Sequence, residues 1–208
     1  MVFILQHRID GVLDIAFLRN YNYVIQNEGE KSMNTFDNLF SRRSIRTYNG
    51  ENITESELSL ILKAAYASPV GRALFDTLNL TVISNRDFLN KWEDYCEAES
   101  GHRPFYGAPT VILVSSLIPS TDLKSINVNF SNAAILVQNM AIAATELGIG
   151  SCHIWGAVRF LNDNAELLKE LGLPEGFEPC CAIILGHTDE KYELRDIPEN
   201  KIKTNFIK

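Results

Sequence analysis

The spacing of hydrophobic and polar positions predicts several helices interleaved with a few short strands. A helix is predicted over 35–40, and Thr54 with Glu57 forms a capping box that opens the next helix. Two further helices are predicted over 87–97 and 163–171. Continuous apolar runs of strand length cover 79–83, 109–115 and 180–186. This combination of elements indicates an α+β or mixed-sheet fold.

The longest predicted helix covers 131–147 and is apolar around nearly its whole circumference. A helix that is apolar on all sides must be buried on all sides. In a chain of 208 residues, this predicts either a central helix or a helix covered by a second subunit. Gly148 is expected at the C′ position, so the glycines at 148 and 150 mark a helix end and not a dinucleotide fingerprint.

The first 32 residues follow no clear period, and a well-patterned sequence begins at Met33. We therefore divide the chain into an extension over 1–32 and a main domain over 33–208. One hypothesis is that Met33 is the biological start, because residues 28–31 can be encoded by a purine-rich stretch that resembles a bacterial ribosome-binding site. The alternative is a native N-terminal arm that packs on a partner subunit.

Composition narrows the class of protein. Hydrophobic residues make up 46% of the chain and charged residues 22%, which is typical of a globular protein. The net charge of −7 argues against a general nucleic-acid binder. No apolar run is long enough to span a bilayer, and no secretory leader is evident, so we expect a cytoplasmic protein.

The cysteines do not predict a metal site or a disulfide framework. Cys96, Cys152, Cys180 and Cys181 include no Cys-x-x-Cys pair. Reduced, buried thiols are therefore expected. The adjacent Cys180 and Cys181 should face opposite sides of a strand.

A basic turn is the first candidate for chemistry. Arg42, Arg43 and Arg46 lie within five residues, with Ser44 among them. Guanidinium groups and a hydroxyl offer the fixed charge and convergent donors that a phosphate needs. A solvated basic turn is the alternative interpretation.

The turn is the first of several blocks that occur in a recognisable order. They are SRRSIR at 41–46, ITESEL at 53–58, ILKAA at 61–65, AYASPVG at 65–71, YGAPTVI at 106–112, QNMAIAATELGIGSC at 138–152, LGLPEGFEP at 171–179 and LGH at 185–187. Together they resemble the nitroreductase family. The resemblance implies an α+β, nitroreductase-like fold with a central mixed or antiparallel sheet, flanking helices and a long buried helix. It also implies an intertwined homodimer whose interface creates two non-covalent FMN sites.

The resemblance assigns candidate residues to each part of the cofactor. Those matching the phosphate site are Arg42, Arg43, Ser44, Arg46 and Arg195. Those matching the loop beside the flavin ring are Pro69, Val70, Gly71, Arg72 and Ala73. Ile154, Trp155 and Gly156 match the segment at the flavin's reactive edge. The glycines at 71 and 156 would allow close backbone approach to a flat ring. No catalytic acid or base and no metal ligand is assigned, because the hydride chemistry belongs to the cofactor.

One departure from the family pattern affects the substrate pocket. Many relatives have an Asn-x-Gln-Pro-Trp run where this chain has RALFD at 72–76. Two readings of Arg72 stay open: an ion pair with Asp76, or a preference for an anionic acceptor or the nicotinamide phosphate.

The resemblance also implies an activity. We expect two-electron transfer from NADH or NADPH to a small electron-poor acceptor (a nitroaromatic, a quinone or an activated alkene) in a ping-pong scheme. Dehalogenation and azoline oxidation are alternatives within the same superfamily. A flavin store or sensor without turnover is an alternative of another class.

Overall fold

The computed structural model describes residues 34–117 and 122–208. The predictions about residues 1–32 and about Met33 as the start lie outside these ranges. Within them the chain forms six α-helices and four strands. The helices are α1 Thr35–Ser41, α2 Glu55–Tyr66, α3 Arg86–Ser100, α4 Ile126–Glu146, α5 Gly156–Asn162 and α6 Ala165–Leu171. The strands are β1 Leu78–Ile83, β2 Thr110–Ser116, β3 Gly150–Ile154 and β4 Glu178–Gly186.

The four strands form one sheet in the order β1-β2-β4-β3, and every neighbouring pair is antiparallel. All seven residues of β2 are buried, as its continuous apolar pattern predicts. The α+β prediction is confirmed, with the antiparallel form of the sheet. Because β3 lies at one edge, the segments that precede and follow β3 are brought to that edge.

Helices cover both faces of the sheet. On one face α2 and α4 pack on the strands through a cluster that includes Ile61, Met140 and Ile183. On the other face α3, α5 and α6 enclose a second cluster around Trp92. The indole of Trp92 also donates a hydrogen bond to the Ala157 carbonyl at 3.0 Å, which fixes α3 against α5.

Two helix ends were predicted correctly from neighbouring residues in the sequence. The capping box is present: the Thr54 N–H donates to Glu57 Oε2 at 2.7 Å, and the Glu57 N–H donates to Thr54 Oγ1 at 3.2 Å. Gly148 adopts φ +69° immediately after α4, which is the left-handed conformation expected of a C′ glycine.

The structure corrects three predictions about elements. It contains β3 and α5, which the pattern did not predict because each is short, five and seven residues, and because β3 includes the exposed His153 among its buried positions. Helix α4 begins at Ile126, five residues before the predicted start, because the polar Asn127 and Asn129 hid its first turn. Cys180 and Cys181 both contact the α4-side cluster, because the pairing of β2 with β4 shifts register between Val114 and Ser115.

Helix α4 is not buried on all sides within one chain. Val128 and Ile135 are 39% and 37% exposed, and Ser131 between them is also exposed. These residues are spaced three and four apart, so they form one stripe along the helix, here named the uncovered stripe. The helix is therefore buried on most of its sides within one chain, and its covering by a second subunit stays a prediction. No described helix is long and apolar enough to cross a membrane.

Candidate functional site

The basic turn is fixed against the edge of the sheet. The Ile45 N–H donates to the Ser151 carbonyl of β3 at 2.9 Å, and the Ile45 side chain is fully buried. The Tyr48 hydroxyl closes the turn by donating to the Ile45 carbonyl at 2.9 Å. A Cβ at Gly150 would lie 3.0 Å from both Ile45 and Tyr48. The turn and β3 therefore form one closely packed unit.

Arg195 lies beside the start of the basic turn. The Arg195 Nε donates to the Phe40 carbonyl at 2.8 Å, and its Nη2 donates to the Leu39 carbonyl at 3.4 Å, so Arg195 caps the C-terminal end of α1. Burial, and then the nearby Arg195, lower the pKa of Arg42. Among the described residues, no carboxylate forms an ion pair with Arg42 or Arg195. An anion placed here would be stabilised by both cations.

The other predicted phosphate residues point to different partners. Arg43 donates to the Lys191 carbonyl and lies 3.9 Å from a Glu190 oxygen, so it ties the turn to the C-terminal segment. The Arg46 guanidinium lies 5.8 Å from the centre of the Tyr106 ring. Ser44 is half-buried. Arg42 and Arg195 therefore remain as the cations available to an anion at the C-terminal end of α1, and we name these two residues the cation cluster.

The predicted segment at the flavin's reactive edge follows β3 directly. Ile154 is buried, whereas the next residue, Trp155, is 59% exposed. Gly156 then begins α5, and a Cβ at this position would have no atom within 4 Å. The backbone at Gly156 therefore faces open space.

The predicted ring-side loop, residues 69–73, is anchored to α4. The Gly71 N–H donates to Asn132 Oδ1 at 2.9 Å. Arg72 and Ala73 follow with φ of 59° and 54°, a left-handed conformation that is uncommon for residues other than glycine. Pro69, Gly71, Arg72 and Ala73 are exposed, and Val70 is partly buried.

Within one chain, the loop over 69–73 lies far from the cation cluster. The loop is bonded to Asn132, whereas α1, which leads into the basic turn, is bonded through Asn38 to Ile142 and Glu146. The 14 residues from Asn132 to Glu146 span about 21 Å of helix. The two halves of the predicted site therefore lie toward opposite ends of α4.

Several residues near the site were not predicted. Asn132 and Asn139 are seven residues apart on α4, and Asn139 donates to Ser68 Oγ at 2.8 Å, just before the loop. Amides at this spacing in an apolar helix are a signal that could have identified both. At the other end, Tyr192 donates to the Ile149 carbonyl at 2.8 Å. Partial desolvation of the His153 ring by its neighbours, and then the charge of Arg42, lower the pKa of His153. Without a predicted β3, the sequence could not place His153 beside the turn.

A separate cavity of about 600 Å³ is lined by residues of α5, α6 and the loop before β4, including Lys169 and Glu178. It contains none of the predicted residues and brings no two cations together. The cation cluster, and not this cavity, is therefore the candidate site. Within the described ranges, no group of histidine, cysteine or acidic residues is arranged to hold a metal ion.

An antiparallel sheet with helices on both faces defines an α+β protein, and comparison with known proteins identifies its family. The model of the nitroreductase family matches residues 94–187. A candidate NADH dehydrogenase/NAD(P)H nitroreductase of Methanothermobacter thermautotrophicus is 30% identical over 173 residues, which cover 79% of this chain and 83% of that protein. A protein of the same description from Archaeoglobus fulgidus is 29% identical over 162 residues, 76% of this chain and 89% of that protein.

A solved structure is similar over the same region. The nitroreductase of Desulfitobacterium hafniense, solved with bound FMN, has a TM-score of 0.70 and 25% identity, covering 83% of this chain and 98% of that one. The chain belongs to the nitroreductase family.

Proposed function

We propose that this protein is an FMN-dependent oxidoreductase that transfers two electrons from NAD(P)H to a small electron-poor acceptor. The observation that supports this most directly is that Arg195 bonds to the Phe40 carbonyl beside Arg42, which brings two cations without a described carboxylate partner to the end of α1 in a member of the nitroreductase family. Names of relatives refer to NAD(P)H nitroreductase activity, and a structural relative contains FMN.

The residues present fit the cofactor at both of its chemically distinct ends. Two cations without a described carboxylate partner suit a phosphate, and burial strengthens their interaction with it. The open space at Gly156 suits a flat ring held against backbone. We assign the phosphate to Arg42, Ser44 and Arg195, with Arg43 and Arg46 as supporting residues.

The protein's own contribution is to bind and orient. When bound, FMN would supply the two-electron chemistry. Packing of Ile45 against β3 holds the basic turn in place, and the backbone at Ile154, Trp155 and Gly156 would lie at the flavin edge. Donors held by packing need little reorganisation when a charged ligand arrives. No side chain is assigned as an acid or base.

The redox balance sets the expected kinetics. NAD(P)H gives up a hydride, which carries two electrons and one proton. A quinone would take up two electrons and two protons, the second proton coming from water, to become a hydroquinone. Because the donor and the acceptor would occupy the same pocket in turn, we expect parallel lines in double-reciprocal plots.

We further propose that the working unit is a homodimer. The loop over 69–73 is separated from the cation cluster of its own chain, and the uncovered stripe on α4 leaves apolar residues exposed. Antiparallel contact of two α4 helices would bury both stripes and bring each loop toward the partner's basic turn. A cavity of about 390 Å³ between α1, α2 and α4, partly lined by Ala64 and Ile142, adds apolar surface to this face.

The test is the visible spectrum of the purified protein, followed by titration with NAD(P)H without oxygen. We expect a bound flavin that is bleached by NAD(P)H and reoxidised by menadione or nitrofurazone. A flavin that binds but is not reduced would favour the store or sensor. Protein that does not bind FMN on reconstitution would exclude both functions.

A further inference from the structure

The loop over 69–73 is held in a strained conformation. Arg72 and Ala73 have φ of 59° and 54°, a left-handed conformation that is unfavourable for residues other than glycine. The strain is maintained by the Asn132–Gly71 hydrogen bond and by the Ala73 N–H, which donates to the Val70 carbonyl at 2.9 Å. Backbone strain of this kind concentrates at ligand-binding loops.

The strained turn presents a cation for which the described residues provide no opposite charge. Arg72 is exposed, and among the described residues it forms neither an ion pair nor a side-chain hydrogen bond. Asp76, the partner expected from the sequence, forms no ion pair with it within the described ranges. The first of the two readings of Arg72 is therefore not supported.

The loop also lies beside the uncovered stripe. A Cβ at Gly71 would come within 3.2 Å of Val128 Cγ1, one of the stripe residues. In the proposed dimer, Arg72 is thus placed where the second subunit's site opens. A guanidinium at this position would contact a substrate that binds in the pocket.

We propose that Arg72 is a specificity-determining residue that binds an anionic group on a substrate of this enzyme. The inference rests on the proposed function and on its dimer. The anionic group is either the 2′-phosphate of NADPH or a carboxylate on the acceptor, since a guanidinium fork binds both.

The experiment compares charged and neutral substrates of matched shape with FMN-loaded protein. The pairs are NADPH with NADH, and 4-nitrobenzoate with 4-nitrobenzamide. We expect Arg72→Gln to lower the charged-to-neutral ratio of kcat/KM about tenfold for at least one pair, the loss expected for one charge-assisted hydrogen bond. Arg72→Lys, which keeps the charge but loses the fork, should lower the same ratio by about threefold or less.

The pair that responds identifies the anionic group. Arg86→Gln is the matched control, because Arg86 is exposed at the start of α3 and has no described ion pair. Ratios for Arg72→Gln within about twofold of those for the Arg86→Gln control, for both pairs, would overturn the inference. If Arg72→Gln does not retain FMN, Arg72→Ala and Arg72→Lys are compared in the same way.

A binding measurement separates this inference from the proposed function. NADP⁺, NAD⁺, benzoate and benzamide are titrated against the flavin absorbance of the wild-type and variant proteins. Selective weakening of NADP⁺ or benzoate by Arg72→Gln supports the inference even without turnover. Normal turnover with unchanged binding of both anions would overturn the inference and leave the proposed function intact.

Discussion

The two halves of the candidate site differ in how far one chain completes them. At the basic turn, one chain supplies the cations and packs them against β3 through buried Ile45. At the loop over 69–73, the described residues supply a strained, exposed backbone and an Arg72 that forms no ion pair among them. The first half holds its cations against the sheet, whereas the second lies beside the uncovered stripe. From this difference we expect cofactor affinity and substrate choice to depend on different parts of the molecule.

Breaking the proposed dimer should have the largest effect, since it would separate the two halves. We expect Ile135→Glu on the uncovered stripe to weaken dimerisation about a hundredfold or more, because a charge would be buried without a partner. The chain should still fold, as Ile135 is 37% exposed in one chain. FMN retention should fall with the loss of dimer.

Sedimentation and bound-flavin absorbance measure both effects. Val82→Glu is the control, because Val82 is 38% exposed on β1 and lies away from the stripe. A monomeric Ile135→Glu protein that binds FMN as tightly as wild type would show that one chain completes the site.

Removing a cation from the cluster should have the next largest effect. We expect Arg42→Ala to raise the Kd for FMN by about ten- to a hundredfold, as one charge-assisted interaction with the phosphate is lost. The unfolding temperature of the cofactor-free variant should stay the same or rise, because Arg42 is partly desolvated and repelled by Arg195.

Arg103 provides the contrasting control. It pairs with Asp94 at 2.6 Å, Glu97 at 2.9 Å and the buried Glu93 at 3.4 Å. Arg103→Ala should therefore lower stability and leave the Kd for FMN unchanged, as measured by thermal unfolding and by quenching of flavin fluorescence. If Arg42→Ala instead destabilised the free protein like Arg103→Ala, Arg42 would be a structural arginine.

Alanine substitutions at two glycines distinguish a position that packs within the chain, Gly150, from one expected to pack on the cofactor, Gly156. Gly156→Ala should leave the free protein equally stable or up to about 1 kcal/mol more stable, because a Cβ meets nothing and alanine favours helix. It should weaken FMN binding about tenfold if the ring lies against this backbone. Gly150→Ala should instead destabilise the free protein, since its Cβ would lie 3.0 Å from the Gly186 carbonyl oxygen. Equal FMN affinity in Gly156→Ala and wild type would move the ring away from Gly156.

The sequence predicts local features of this protein better than it predicts how they come together. The Thr54 capping box and the Gly148 helix end depend on neighbouring residues, and both were predicted correctly. Strand β3 takes its stability from pairing with β4 and from the Ile45 hydrogen bond, contacts that are distant in sequence. The uncovered stripe also cannot be predicted from the sequence pattern. When a helix is apolar on all sides, its sequence does not show which neighbouring element covers each side.

The same limit applies to the site. Composition and resemblance identified the residues of the basic turn as candidates. They did not show which of these arginines bonds to another segment of the chain and which remains available to a ligand. Arg43 donates to the Lys191 carbonyl, whereas Arg195, which is 153 residues from Arg42 in the sequence, bonds to the Phe40 carbonyl just before Arg42. Only the folded chain distinguishes an arginine that ties two segments together from one that remains available to a ligand.

The smallest expected effect is a pH dependence at the basic half. Desolvation, and then Arg42, lower the pKa of His153 from its ordinary value of 6.5. Between that value and the lowered one, the unfolded chain binds a proton more readily than the folded chain. The stability contributed by neutral His153 is therefore present above about pH 6.5 and is lost as the pH falls through the lowered pKa. Bound phosphate would offset the repulsion from Arg42 and make this loss smaller.

We accordingly expect the unfolding temperature of cofactor-free protein to fall more steeply from pH 7 to pH 5 than that of FMN-loaded protein. His153→Asn should remove part of the difference, whereas His102→Asn, on an exposed histidine for which the described partner is Tyr106, should not. Thermal unfolding across this range measures both. Parallel curves for loaded and free protein would indicate that the phosphate binds too far from His153 to influence it, and would shift the anion site toward Arg195.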